Sequence, residues 1–257
     1  MNEQLFRQLI EQTASMAKDA KRVLFITGAG ISADSGLPTY RGVSGLYNNQ
    51  NTEEGISIES ALSGSMFIEN PDVTWKYISQ IEKTCRGKSY NRGHEVIAEM
   101  ESYFDQVCVL TQNIDGFHHQ AGSSNVIDIH GHLYDLYCLS CDYQETVSDF
   151  SELPPTPRCP KCHNIIRPDV VLFEEVLSRK KMEALADEIQ SGFDLVFSIG
   201  TTSVFPYIAQ PVIIAHHNNI KSIEINPSNT RVSDLCRLKI PETAAKTLNT
   251  LWMMLSQ

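Results

Sequence analysis

Cys138 and Cys141, followed by Cys159 and Cys162, form two Cys-x2-Cys pairs, a spacing that can bring four thiolates to one tetrahedral point. A quartet of this kind closes the coordination sphere of Zn²⁺, whereas a catalytic zinc keeps one position for water. The pairs therefore predict a structural metal, with two disulfides as the competing arrangement, and a reacting group has to be sought elsewhere. Gly28-Ala29-Gly30-Ile31-Ser32-Ala33 meets the G-x-G-x-x-G/A pattern. Glycines there let the backbone approach a pyrophosphate, and free amides at a helix start can hold it. Asp34 and Arg41 follow, and Arg41 could clamp a diphosphate while the Gly/Asn-rich segment after it folds over the ligand. Thr111-Gln112-Asn113-Ile114-Asp115-Gly116 holds more amide and carboxylate side chains than a turn needs, although Asn113 and Asp115 also suit an Asx turn and a helix cap. His130-Gly131 supplies the side chain best able to accept a proton near neutral pH.

These groups need elements to position them. Residues 22–27 form a β-branched and aromatic run that ends at Gly28, as a buried parallel strand feeding a glycine turn should. Similar runs recur at 106–111, 126–129, 168–173, 193–199 and 220–225. Helical spacing of apolar residues appears at the amphipathic start and at 95–103, 178–190 and 241–255. Alternation of this kind predicts a doubly wound α/β sheet, whose ligands sit at the carboxyl ends of the strands. The polar strand end and His130 fall on that edge, with the glycine loop. Residues 42–91, with weak helices and no core strand, and residues 132–167, with the cysteines and a Pro-rich turn, read as insertions forming a smaller module. One feature of an ordinary dinucleotide site is absent: no second strand ends in an acid about twenty residues after the glycines, because Glu53 and Glu54 lie in a polar loop.

With 257 residues, 42 % of them hydrophobic, the chain can bury a substantial core. It has no apolar run long enough for a membrane span and no signal-peptide core at its start, so a soluble, cytoplasmic protein is expected. A net charge of −10 disfavours general affinity for nucleic-acid phosphate. Cys85, Cys108 and Cys236 lack paired spacing and read as buried small hydrophobes.

Taken together, the chain resembles the sirtuin family of NAD-dependent protein-lysine deacylases. The resemblance rests on 28–38, 111–116, His130-Gly131, the cysteine quartet, Arg167-Pro168-Asp169-Val170-Val171, Gly200-Thr201-Thr202 and Ile225-Asn226, which occur in the family's order. It implies a Rossmann-like NAD-binding domain over 1–41, 92–131 and 168–257, a cofactor loop and helical insertion over 42–91, and a zinc-binding insertion over 132–167. By the same resemblance NAD is consumed: the acyl oxygen of a modified lysine attacks the nicotinamide ribose as nicotinamide leaves. His130 would then deprotonate a ribose hydroxyl, yielding free lysine and O-acyl-ADP-ribose. Asn113 and Asp115 would hold the nicotinamide and its ribose in the reactive pose. Gln112 would contact a ribose, and Gly28, Ala29, Gly30, Ser32, Asp34 and Arg41 the pyrophosphate side. Gly200, Thr201, Thr202, Asn226 and Ala244 would contact the adenosine half. Val170, Val171, Leu172 and Phe173 would pair with an extended acyl-lysine peptide, and one structural zinc would sit on the four cysteines.

Three departures from the family pattern stand out, the first bearing on peptide preference and the second on contacts after Thr202. Glu174 stands where glycine usually follows the phenylalanine, the stretch 200–206 is a residue short, and Phe117 replaces a leucine. Members that remove acidic acyl groups carry Tyr-x-x-Arg, but here Tyr77 is followed by Gln80. With no arginine to pair a carboxylate, neutral acyl groups are expected, acetyl first. An ADP-ribosyltransferase or NAD hydrolase using the same pocket remains the alternative, since water or another nucleophile could capture the ribose. A zinc-ribbon binding module would leave the cofactor constellation unexplained, and a hydride-transferring oxidoreductase lacks the ribose acid.

Overall fold

A computed structural model describes residues 1–39 and 52–256. Its largest element is a six-stranded, all-parallel sheet in the order β3-β2-β1-β7-β8-β9. The strands are β1 (Arg22–Thr27), β2 (Gln106–Thr111), β3 (Val126–Asp128), β7 (Leu195–Ile199), β8 (Lys221–Ile225) and β9 (Leu238–Ile240). β1, β2 and β7 are buried along nearly their whole length, which is why they read as continuous apolar runs. Phe25 of β1 stacks on Phe197 of β7, centroids 4.9 Å apart, across the line where the strand order reverses. The first helix, Glu3–Ala17, starts where the Asn2 side chain accepts from Leu5 N at 2.8 Å. It packs Phe6, Ile10, Ala14 and Ala17 with the helices Arg92–Glu99 and Ala244–Leu255 on one face of the sheet. The other face is covered by Arg179–Ser191 and Pro206–His217, completing the doubly wound α/β arrangement the sequence predicts.

A smaller antiparallel sheet, in the order β5-β4-β6, joins β4 (Gly131–Cys138), β5 (Gln144–Thr146) and β6 (Ile166–Val170). It corrects the expectation that 168–173 continues the main parallel sheet. β6 ends at Val170 and pairs antiparallel with β4, with Gly131 opposite Val170, and Val171 to Phe173 lie outside any named strand, with Phe173 bridging Ser63. The helices of the first insertion are also firmer than expected. Pro71–Cys85 runs 15 residues, with proline in its first turn, Asp72 near its amino end and Lys83 near its carboxyl end. It buries Thr74, Trp75, Ile78, Glu82 and Cys85 on one face. Trp75 Nε1 donates to Ile166 O at 3.0 Å and its ring meets Phe150 edge-on. Residues of both insertions therefore share one hydrophobic core.

Candidate active site

At the carboxyl edge of the main sheet, each strand-end loop is fastened to the next by backbone hydrogen bonds. Gly28 N donates to Ile199 O (3.1 Å), Gly30 N to Gly200 O (2.8 Å), Gln112 N to Thr27 O (3.1 Å) and Gly200 N to Ile225 O (3.0 Å). Gly30 and Gly200 touch backbone to backbone: a Cβ on Gly30 would stand 2.5 Å from Gly200 Cα. Gly200 also sits at φ +58°, where a side chain is strained. Only glycines allow this crossing, and it falls at the switch point between β1 and β7, where doubly wound sheets bind ligands.

Over this edge opens a cleft of about 610 Å³, within the usual range for a small-molecule or cofactor site. Gly28, Ala29, Gly30, Asp34, Gln112, Asn113 and His130 line it, with Val170 to Phe173, Gly200, Thr201, Thr202, Asn226 and Ala244. Ser32 and Asp115 lie behind that wall, buried at 1 % and 6 % exposure. Ser32 Oγ donates to Asp115 Oδ2 at 2.7 Å, and Asn113 Nδ2 donates to Ser32 Oγ and Gly28 O, each at 3.2 Å. The two residues thus fix the Asn113 amide. Burial raises the Asp115 pKa, opposed by donation from Phe117 N and Ser32. The Asp34 carboxylate accepts from Ala245 N at 2.9 Å, pinning the glycine loop to the last helix. Arg41 and the Gly/Asn segment at 42–51 lie outside the described residues.

Gln112 Nε2 donates to Thr201 Oγ1 at 2.6 Å, and Asn226 Nδ2 to Thr201 O at 3.1 Å. The loop after Asn226 is held by the buried Glu224 carboxylate, which accepts from Thr230 Oγ1, Ser233 Oγ and Lys239 Nζ. His130 places Nδ1 3.0 Å from Gln112 O and Nε2 2.7 Å from Tyr207 Oη. Its pKa is lowered: burial dominates, the Gln112 carbonyl opposes it, and the Lys181 charge adds a smaller downward push. The imidazole is therefore neutral at neutral pH, as a general base must be.

On the far wall Val171 N donates to His130 O, Phe173 N to Leu62 O and Gly64 N to Phe173 O, each at 2.9 Å. Arg167, 4 % exposed, donates to both Glu175 carboxylate oxygens and to Val170 O. Glu174 takes φ +70°, retaining the left-handed turn that glycine would adopt freely, and accepts from Ser65 Oγ at 2.6 Å. Ile78, Ile81, Leu62 and Leu133 add an apolar side, and no lysine or arginine lines the cleft among the described residues. Tyr77 Oη donates to Glu54, and Gln80 is exposed.

Cys138, Cys141, Cys159 and Cys162 keep their sulfurs within 4.8 Å of one another, with Cys138–Cys162 at 3.4 Å and Cys141–Cys159 at 3.5 Å. A disulfide needs about 2.05 Å, whereas a tetrahedron of about 2.3 Å Zn–S bonds has edges of about 3.8 Å. Ser140 N and Lys161 N donate to Cys138 and Cys159 sulfur, contacts that favour thiolates. The donor set fits a closed zinc.

The reading from sequence missed Tyr207 and Phe205, which line the cleft beside His130. Their signal was an aromatic pair around Pro206 shortly after Gly200, on the same sheet edge.

The description "Sir2 family" matches residues 28–206. An NAD-dependent protein deacylase 2 of Pseudomonas syringae pv. tomato is 48 % identical over 85 % of this chain and 89 % of its own. Its namesake from Pseudomonas aeruginosa is 46 % identical over 90 % and 91 %. A crystal structure of a Sir2 homologue–NAD complex superposes with a TM-score of 0.85 at 30 % identity, covering 96 % of this chain and 93 % of that one. A Sir2–p53 peptide–NAD⁺ complex gives 0.79 at 26 % identity, covering 99 % and 98 %. With the family match spanning most of the chain and relatives nearly half identical, this protein belongs to the Sir2 family.

Proposed function

We propose that the protein is an NAD-dependent protein-lysine deacylase acting on neutral acyl groups, acetyl foremost. The observation carrying this reading is that one cleft is lined together by His130, Asn113, the glycine loop and the segment Val170 to Phe173. Bound NAD supplies an activated ribose carbon that accepts the acyl oxygen as nicotinamide departs. The chain's own residues do the rest. Gly28, Ala29, Gly30 and Asp34, which line the cleft, are assigned to the diphosphate side and Gly200, Thr201, Thr202, Asn226 and Ala244 to the adenosine half. Ser32, buried behind the wall, acts there only through Asn113, and the family resemblance assigns Arg41, outside the described residues, to the diphosphate side. Gln112 positions a ribose. Asn113, fixed by Ser32 and backed by Asp115, orients the reacting end. His130 takes the proton of a ribose hydroxyl. Val170 to Phe173 offer an extended edge to the backbone of an acyl-lysine peptide. Among the described residues the apolar side of the cleft carries no cation, which favours uncharged acyl chains.

Residues 1–41, 92–131 and 168–257 form the NAD-binding domain in this reading. The cofactor loop and helical insertion at 42–91 and the zinc-binding insertion at 132–167 form the small module, with β6 as the seam. The zinc supplies fold rather than chemistry, because four thiolates leave no open position. No helix among the described residues is long and apolar enough to cross a membrane, and the acidic charge gives no footing for nucleic acid. Unpaired thiols at every described cysteine fit action in the reducing cytoplasm.

Incubation with NAD⁺ and an acetyl-lysine peptide, following peptide mass and nicotinamide together, tests the reading. Acetyl loss matched by nicotinamide is expected, with a matched succinyl peptide slower and His130→Ala inactive at unchanged zinc content. Nicotinamide release without deacylation would instead support ADP-ribosyl transfer or NAD hydrolysis.

A further inference from the structure

We propose that His130 receives its proton through the Tyr207 hydroxyl, which is hydrogen-bonded to the base and acts as a relay. The proposal rests on the deacylase reading above and on the hydrogen-bond geometry at the imidazole. Gln112 O, 3.0 Å from Nδ1, can only accept, so in the neutral ring Nδ1 carries the hydrogen and Nε2 carries the lone pair. Tyr207 Oη, 2.7 Å from Nε2, must then donate. That bond occupies the lone pair a base needs, so the base reaches a substrate only through Tyr207 or after Tyr207 has left.

Departure is opposed by the local packing. Tyr207 lies in the first turn of Pro206–His217, whose Ile208, Ala209 and Val212 are buried against the sheet. Its ring is stacked on Phe205 at 5.5 Å and 12°, and both rings meet His130 edge-on. Tyr207 lines the cleft, and its hydroxyl has no second hydrogen bond among the described residues beyond the one to His130, so its remaining lone pairs are free to accept.

A substrate hydroxyl reaching that oxygen can pass its proton to Tyr207 Oη as Tyr207 passes its own to His130 Nε2. One O–H bond breaks on the substrate, leaving its electron pair on the attacking oxygen. Tyr207 ends unchanged, and His130 gains the single proton. Burial pushes the phenol up to about 12, so the phenolate is scarcely populated and the two transfers run together. The charged groups facing the pair are Lys181 and, 3.7 Å from its ammonium, Asp169.

Tyr207→Phe removes one oxygen and keeps the stacked ring. In the ligand-free protein, ¹⁵N spectra of the His130 imidazole should show an unprotonated, hydrogen-bonded Nε2 whose signal moves in Tyr207→Phe while Nδ1 stays. In single turnovers, acyl loss relative to nicotinamide exchange should fall by about 10- to 100-fold, the scale of general base catalysis. A proton inventory in mixed H₂O and D₂O should curve for the unmodified protein, with two protons in flight, and straighten in the variant. An unchanged ratio, a faster variant or a linear inventory in the unmodified enzyme would overturn the relay; the faster variant would mark Tyr207 as a plug on the base. Absence of acyl loss in the unmodified enzyme would be a failure of the deacylase reading itself, so the two failures are distinguishable.

Discussion

Gly30→Ala tests whether the crossing of the two strand-end loops builds the cofactor cradle. The new Cβ would lie 2.5 Å from Gly200 Cα and 2.8 Å from Gly200 O, against about 3.5 Å for an ordinary carbon contact. Both obstacles are backbone, so no side chain can turn aside, and the loops must part by about 1 Å. Such a shift takes the 2.8 Å bond from Gly30 N to Gly200 O out to about 3.8 Å, beyond hydrogen-bond range. Gly30 is only part-buried, so the lost bond costs about 1 kcal/mol, and the overpacking strain adds about 1–3 kcal/mol. The sum, about 2–4 kcal/mol, is a large part of the 5–15 kcal/mol typical of a domain. Chemical denaturation should report that loss, and calorimetric titration with ADP-ribose should show affinity falling about tenfold or more as the cradle widens. If the variant bound ADP-ribose within about twofold and lost less than about 0.5 kcal/mol, the backbone contact would not be what sets the cradle.

Two further outcomes follow from buried groups. Chelation of zinc should loosen the small module, since metal-binding energy in such sites is folding energy. With Trp252→Phe leaving Trp75 as sole reporter, emission should shift red and peptide turnover should stop; unchanged emission with full activity would refute the structural role. His94, fully buried, has its pKa lowered to about 4 by burial, with the Asn91 backbone opposing. The fold therefore binds it neutral while the unfolded chain protonates it near pH 6.5. Its contribution is intact above that pH and is lost as pH falls toward 4, amounting to about 2 kcal/mol by pH 5. Urea melts at pH 7 and pH 5 should show the loss shrinking by that amount in His94→Gln, which can still close the capping box; equal losses would refute it.

How much could be read in advance depended on whether a pattern lived in one segment or between segments. β1, β2 and β7 were legible because strands buried on both faces are unbroken apolar runs. β4 was not. Its alternation is broken by the register shift between His132 and Leu136, so Leu133 and Leu136 both reach the core without a period of two. The strand expected over 168–173 had the right composition but the wrong sheet, because β4 claims residues 166–170 as an antiparallel partner. At the site, Asn113, His130 and the glycine loop carried local signals. Tyr207 offered only the weaker signal of an aromatic beside Pro206: its contact joins residues distant in sequence, and only the docking of Pro206–His217 on the sheet brings its hydroxyl to Nε2.

The two walls of the cleft are built by different physics. The cofactor wall is a run of strand-end loops bonded backbone to backbone, from Gln112 N–Thr27 O through Gly28 N–Ile199 O and Gly30 N–Gly200 O to Asn226 N–Ile240 O. Its shape is inherited from the sheet and is largely preformed. The opposite wall hangs instead on ties to other elements: Val171 N–His130 O, Phe173 N–Leu62 O and Gly64 N–Phe173 O, and the ion pair of buried Arg167 with part-exposed Glu175, whose Oε2 also holds Leu172 N. Those ties reach residues whose core is shared with Cys138 and Cys159. Removing Glu175 would leave the buried Arg167 guanidinium without its partner, a costly change, so Arg167 couples the cysteine-bearing module to the segment Val170 to Phe173. The fold thereby gives the two walls separate foundations, one in the parallel sheet and one in the core of the small module.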